Sequence, residues 1–418
     1  MKKIKIQGGY PLTGTINIGG AKNGAVALVP AALLSDGIVK IDNIPDISDI
    51  EALIEILIYL GAKVTKINNN MEIDSTNIRN REIPENISSK LRASYYFMSA
   101  LLGKYKKAEM YFPGGCSIGA RPIDQTLKAF EKLGAKVKNE GNKYIITAEN
   151  LIGANIYLDM PSVGATINTI LASVKADGTT IIGNAAKEPE VVNVAIFLNN
   201  MGARITGAGT SEIKIKGVKK LNGCFGEVIP DRIEAGTYLI AGALMGENLK
   251  INNIIPDHLD ALILKLEEMG IHLDKKNDSI TISKLENLTP VTVKTLGYPG
   301  FATDFQQPFT VLLTKASGIS KLEETIYENR FRNIPFLNEM GANITIDNQT
   351  ININGPTNLK GKKVEATDLR AGACMILAGL QAQGETTITS IEHVLRGYEN
   401  IIEKLSSVGA KIELEEYN

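Results

Sequence analysis

One glycine motif recurs six times at nearly constant spacing, each time where an apolar helical run ends and a short alternating segment begins. The copies are Leu60-Gly61-Ala62-Lys63-Val64, Leu133-Gly134-Ala135-Lys136-Val137, Met201-Gly202-Ala203-Arg204-Ile205, Met269-Gly270-Ile271-His272-Leu273, Met340-Gly341-Ala342-Asn343-Ile344 and Val408-Gly409-Ala410-Lys411-Ile412. Successive glycines lie 73, 68, 68, 71 and 68 residues apart. A period this regular means one supersecondary unit used six times, with each copy burying its apolar face against its neighbours.

Each unit reads the same way. The glycine stops an amphipathic helix, such as Ile50 to Leu60 or His258 to Met269. Earlier in the unit lies a helical run that is apolar nearly all round: Gly24 to Leu34, Ala93 to Leu102, Ala165 to Val174, Gly236 to Met245, Phe305 to Leu313 and Ala371 to Leu380. Helices of that composition are buried. A turn and strand separate the two helices, as in Asp177-Gly178-Thr179-Thr180-Ile181-Ile182, and strand pairs such as Ile213-Lys214-Ile215-Lys216-Gly217 join the units. The segment Ile4-Lys5-Ile6-Gln7-Gly8 matches those strands and is expected to supply the one that the last repeat lacks.

Six units over 418 residues make two α/β domains of three repeats, divided near Glu227-Val228-Ile229-Pro230. The expected domains are 22–229, carrying the cysteine loop described below, and a discontinuous one of 1–21 and 230–418. A net charge of -1 argues against an electrostatic nucleic-acid or membrane binder, so any anion site is local. Cys116, Cys224 and Cys374 form no CxxC pair, and His258, His272 and His393 are scattered, which disfavours disulfides, a metal site and a Ser-His-Asp mechanism. The start of the chain lacks the apolar core of a signal peptide, and no run reaches membrane-spanning length. A cytoplasmic protein is expected.

Charged and unusual residues gather at two points of the repeat. Buried-helix starts carry Lys22-Asn23, Arg92, Ser162-Val163-Gly164, Asp231-Arg232, Asp304 and Asp368-Leu369-Arg370. The loops after the following strands carry Cys116 with Arg121, Glu188 with Glu190, Glu328-Asn329-Arg330, and His393 with Arg396. If the buried helices of a domain run parallel, their N-termini share one end and favour anions there. Two such domains face to face would form a cleft lined with Lys and Arg. Asp231 and Asp368 read equally well as helix caps or interdomain ion pairs and as substrate ligands, and Asp304 also reads as a cap. His393, Cys224 and Cys374 read as structural. In Pro113-Gly114-Gly115-Cys116-Ser117-Ile118-Gly119-Ala120-Arg121-Pro122 a thiol sits among glycines with a guanidinium five residues on, a setting that favours the thiolate.

These segments, together with Leu91-Arg92-Ala93-Ser94, Pro230-Asp231-Arg232-Ile233-Glu234, Glu328-Asn329-Arg330-Phe331, Thr367-Asp368-Leu369-Arg370-Ala371 and Arg396-Gly397-Tyr398, resemble the UDP-N-acetylglucosamine 1-carboxyvinyltransferase family of enolpyruvyl transferases over nearly the whole chain, in order. The resemblance implies two inverse, inside-out α/β domains with buried parallel helices and outer sheets, and an active site in the cleft between them. It implies transfer of the enolpyruvyl group of phosphoenolpyruvate to the 3-hydroxyl of UDP-N-acetylglucosamine with release of phosphate, the first committed step of peptidoglycan synthesis. No metal or organic cofactor is implied. By the same resemblance Cys116 is the acid and the target of fosfomycin, and Asp304 is the base. Lys22, Asn23, Arg121, Arg330, Arg370 and Arg396 hold phosphoenolpyruvate.

The nucleotide sugar falls to Asn23, Arg92, Arg121, Pro122, Ile123, Asp124, Gln125, Ser162, Val163, Gly164, Asp304 and Ile326, with Gly164 leaving the backbone free beside the diphosphate. The chain departs from the family pattern at Met160-Pro161, Gln125 and Tyr327, where some members carry Lys, His and Phe. Two rival readings are a 5-enolpyruvylshikimate-3-phosphate synthase and a non-catalytic paralogue that binds UDP-N-acetylglucosamine. The Cys116 loop and the filled catalytic positions argue against them.

Overall fold

A computed structural model describes residues 2–111 and 123–416, and these fall into two compact units, 20–111 with 123–229 and 2–19 with 230–416. Each unit has its own apolar core. All six repeat glycines, Gly61, Gly134, Gly202, Gly270, Gly341 and Gly409, take φ between 94° and 110°. Only glycine adopts that left-handed conformation without a Cβ penalty, which is why the residue recurs while its neighbours vary.

The described residues form five four-stranded sheets and one three-stranded sheet. In the third repeat, strand Thr179–Gly183 lies parallel to Asn155–Tyr157 and antiparallel to Glu212–Lys216, which turns back to Arg204–Thr206. The buried helix Val163–Ser173 is the crossover between the two parallel strands. The same plan recurs around helices Arg232–Met245, Thr303–Leu313 and Leu369–Gln381. The three-stranded sheet of Lys107–Tyr111, Lys143–Thr147 and Lys136–Glu140 keeps a remnant of the fourth strand as a parallel bridge between Ile83 and Met110. Residues alternate between buried and exposed along strands such as Glu212–Lys216, as a sheet with one wet face requires.

Two strands come from far away in the sequence. Lys2–Gln7 sits between Glu385–Thr389 and Lys411–Glu416, antiparallel to both, so the first segment of the chain completes the last sheet as its sequence style foretold. Leu12–Asn17 pairs in parallel with Gly246–Asn252.

The central helices are buried on almost every side. All 14 residues of Arg232–Met245 are buried, and this helix packs on Thr303–Leu313 and Leu369–Gln381, which also pack on each other. In the other unit Tyr96–Tyr105 packs on Lys22–Ala31 and on Val163–Ser173. Close approach is set at Gly103, where an added Cβ would lie 2.6 Å from the carbonyl oxygen of Leu171. Buried hydroxyls on these helices turn inward: Thr169, Thr237 and Thr310 each donate to the carbonyl four residues back, at 2.7–2.8 Å. Among the described residues no helix is long and apolar enough to cross a membrane.

Candidate active site

In the unit of residues 2–19 and 230–416, the starts of all three central helices bring charge to one end. Asp231 and Asp368 are N-caps: Asp231 Oδ1 accepts from the N–H groups of Ile233 and Glu234, and Asp368 Oδ1 from those of Arg370 and Ala371, all within 2.8–3.0 Å. Their capping role is thereby established. Asp304 differs. Its helix begins at Thr303 with Ala302 at the cap position, so Asp304 is the second helical residue and does not cap.

The Asp304 carboxylate instead lies between two guanidiniums. Oδ1 accepts from Arg330 Nη2 at 2.6 Å and Oδ2 from Arg370 Nη2 at 3.3 Å. Both arginine side chains are almost wholly buried, whereas Asp304 remains about one quarter exposed, at 24%. Burial alone would push this carboxyl's pKa up. Arg370, then Arg330, and more weakly Arg232 outweigh it and hold the carboxyl well below the usual carboxylate range. Burial likewise opposes the charge on Arg370, but the Tyr398 hydroxyl and Asp304 hold its pKa above the ordinary value. The Arg370 guanidinium sits 5.3 Å from the centre of the Tyr398 ring, and Arg330 sits 5.2 Å from that of Tyr327. Arg330 Nε is buried and has no hydrogen-bond partner among the described residues. Arg396 follows the short helix Glu392–Leu395, two residues before Tyr398, and Ile326 is 41% exposed in the loop that leads to Arg330.

In the unit of residues 20–111 and 123–229, Lys22 opens its helix and pairs with Asp49 Oδ2 at 2.8 Å, with Asn23 beside it and half-buried. Arg92 starts the short helix Arg92–Tyr95 and lies 5.7 Å from the Tyr95 ring. Ser162 caps Val163–Ser173 by accepting from the Ala165 N–H at 3.3 Å. A Cβ on Gly164 would fall 1.8 Å from the Tyr95 hydroxyl oxygen, so this glycine has a packing requirement of its own, one the sequence reading did not include. Ile123 is buried at the cap of Asp124–Lys132, Asp124 is exposed, and Gln125 Oε1 accepts from the Met160 N–H at 3.3 Å. Arg92, Tyr95 and Gly164 thus form one group, and Gln125 is tied to the segment that carries Ser162. Cys116, Arg121 and Pro122 lie outside the described residues.

Two buried acids, one beside the candidate residues of each unit, escaped the sequence reading. Asp49 lies in the first turn of helix Ser48–Leu60, where an acid reads as an ordinary response to the helix dipole. Glu324, directly after strand Gly318–Glu323, is 0% exposed, and its only sequence signal is a second glutamate after a strand that alternates up to Glu323.

The comparisons with known proteins agree with one another. Residues 6–405 match the family model of EPSP synthase (3-phosphoshikimate 1-carboxyvinyltransferase). The chain is 52% identical over 413 residues to UDP-N-acetylglucosamine 1-carboxyvinyltransferase 2 of Bacillus subtilis (strain 168), covering 99% of this chain and 96% of the relative. It is 51% identical over 418 residues, all of both chains, to UDP-N-acetylglucosamine 1-carboxyvinyltransferase 1 of Streptococcus agalactiae serotype V. Among solved structures, the enolpyruvyl transferase NikO from Streptomyces tendae superposes with a TM-score of 0.91 at 26% identity over 100% of this chain and 99% of that one. EPSP synthase from Acinetobacter baumannii shares the fold, with a TM-score of 0.76 at 18% identity over the full length of both chains.

Proposed function

This chain belongs to the EPSP synthase family of enolpyruvyl transferases, and we propose from that membership that it transfers the enolpyruvyl group of phosphoenolpyruvate to the 3-hydroxyl of UDP-N-acetylglucosamine. Phosphate is released, and the product belongs to peptidoglycan synthesis. The observation that carries the reading is Asp304, held between Arg330 and Arg370 at the shared end of three buried helices.

Phosphoenolpyruvate brings a carboxylate and a phosphate. Arg330, Arg370 and Arg396, with Lys22, Asn23 and Arg121, supply its positive and hydrogen-bonding surroundings, and the open Nε of Arg330 gives an anion a buried donor. While both guanidiniums face Asp304 its carboxylate is a poor base. Substrate anions that draw charge from Arg330 and Arg370 raise its basicity as the sugar hydroxyl arrives, so base strength and substrate binding rise together.

Asp304 then takes the hydroxyl proton, the sugar oxygen bonds to the central carbon of phosphoenolpyruvate, and Cys116 delivers a proton to the methylene carbon. Loss of a proton from that carbon and departure of phosphate restore the double bond. Arg92, Pro122, Ile123, Asp124, Gln125, Ser162, Val163, Gly164 and Ile326 are assigned to the nucleotide sugar. Site residues come from both expected domains, 22–229 and 1–21 with 230–418, and the protein works in the cytoplasm.

The test is phosphate release from phosphoenolpyruvate with UDP-N-acetylglucosamine, with shikimate 3-phosphate, and with neither, before and after fosfomycin. Release that depends on the nucleotide sugar and is abolished by fosfomycin supports the reaction and Cys116 together. Release with shikimate 3-phosphate alone overturns the acceptor. Binding of the nucleotide sugar without release would make the protein a non-catalytic binder.

A further inference from the structure

Glu324 is fully buried, accepts four hydrogen bonds and joins three separate segments. Oε1 accepts from the Thr295 hydroxyl at 3.0 Å and from the N–H groups of Ile326 and Tyr327 at 2.8 and 3.2 Å. Oε2 accepts from the Thr303 hydroxyl at 2.7 Å. Thr295 in turn accepts from the Thr325 N–H, and the Thr325 hydroxyl donates back to the Thr295 carbonyl, so the loop is pinned directly after Glu324.

The Thr303 hydroxyl is the link to the charged cluster. It gives its one proton to Glu324 and uses a lone pair to accept from Arg330 Nη1 at 3.1 Å. Through its other terminal nitrogen Arg330 reaches Asp304, the residue next to Thr303. A second tie holds the same arginine: Gln307 Nε2 donates to the Arg330 carbonyl at 3.1 Å and lies 3.3 Å from Asp368 Oδ2. A hydroxyl can serve Arg330 in this fixed orientation only while an acceptor takes its proton, and in this position that acceptor is Glu324.

We infer that Glu324, acting through the Thr303 hydroxyl, is a positioning residue that orients Arg330 toward the anionic groups of phosphoenolpyruvate. This rests on the proposed reaction only for the identity of the anion. Three donors converge on Oε1, so in Glu324→Gln the amide oxygen must take that place and the NH2 must face Thr303. The Thr303 proton then loses its acceptor, although the loop contacts persist.

The experiment compares Thr303→Val, Thr303→Ser and Glu324→Gln with the parent protein, by steady-state phosphate release and by calorimetric titration of phosphoenolpyruvate. Thr303→Val keeps the volume and removes both hydrogen bonds. It should raise the KM and Kd for phosphoenolpyruvate about tenfold, the scale of a lost charge-assisted bond, with a smaller change in kcat and in the KM for the nucleotide sugar. Thr303→Ser should restore the parental values, and Glu324→Gln should resemble Thr303→Val. A Thr303→Val protein with parental KM and Kd overturns the inference, as does a Thr303→Ser protein as impaired as Thr303→Val. A Glu324→Gln protein with parental KM and Kd likewise overturns it, and if Thr303→Val fails to fold, the Glu324→Gln arm decides alone. A parent protein without turnover whose phosphoenolpyruvate Kd still separates Val from Ser would sink the reaction and keep the positioning role.

Discussion

Asp231 and Asp368 stand at the starts of the first and third central helices of their unit, and Asp304 stands at the start of the second. The first two spend a carboxylate oxygen on the N–H groups of their own helix, whereas Asp304 spends both of its oxygens on guanidiniums. What separates them is two positions. A helix that begins at its aspartate's next neighbour turns that aspartate into a cap, and a helix that begins two residues earlier, with alanine at the cap, leaves the carboxylate for other partners. Within a repeat, a shift of two residues in a helix boundary converts a structural acid into one available for chemistry.

The strongest way to break the comparison is Asp304→Asn. It should lower acceptor-dependent phosphate release by about a hundredfold to ten-thousandfold, the range for loss of a general base, and a near-native rate would place the hydroxyl proton elsewhere.

A smaller effect concerns Glu234, three residues into the helix that Asp231 caps. It accepts from Lys404 at 2.6 Å and from the Gly19 N–H at 3.1 Å, yet burial outweighs Lys404 and pushes its pKa to about 7 from an ordinary 4.5. Between those values the folded protein keeps a proton that the unfolded chain has lost. Stability therefore falls as pH rises from about 4.5 to about 7 and levels off above. Melting temperatures across that range should drop by several degrees, and Glu234→Gln should flatten the profile. A parental slope in the variant would assign it to another group. The smallest effect sharpens the contrast between caps. Asp231→Ala should cost about 1 kcal/mol in urea unfolding, while Ala302→Ser should gain a few tenths to 1 kcal/mol by capping the helix of Asp304. Equal and opposite shifts are not required, but shifts of the same sign would refute the account of the boundary.

The repeat was legible because its signal is a backbone one: six left-handed glycines cannot be replaced cheaply, so they stay visible while strands and helices drift in sequence. The buried helices were legible from their apolar surfaces, and the placement of Arg330 and Arg370 at one end of their unit from the period itself. The choice among roles for Asp304 was not legible, because it turned on a helix boundary two residues away. Asp49 and Glu324 were hidden for a different reason. A buried carboxylate is identified by what donates to it, and the donors of Glu324 come from residues 295, 303, 326 and 327, which only folding brings together. Gly164 reads in the sequence as backbone left free beside a diphosphate, and its need for space comes from Tyr95, 69 positions earlier in the sequence.

The strand Lys2–Gln7 occupies the middle of a sheet whose outer partner is Lys411–Glu416. During synthesis the first of these leaves the ribosome long before the second exists. The unit of residues 20–229 has all of its described strands once that span has emerged, whereas the other unit keeps an early strand waiting, with its edges unpaired, until the last one is made. The order of folding is thus set in part by the stitching of one sheet, and the half that carries Asp304, Arg330 and Arg370 is the half that matures last.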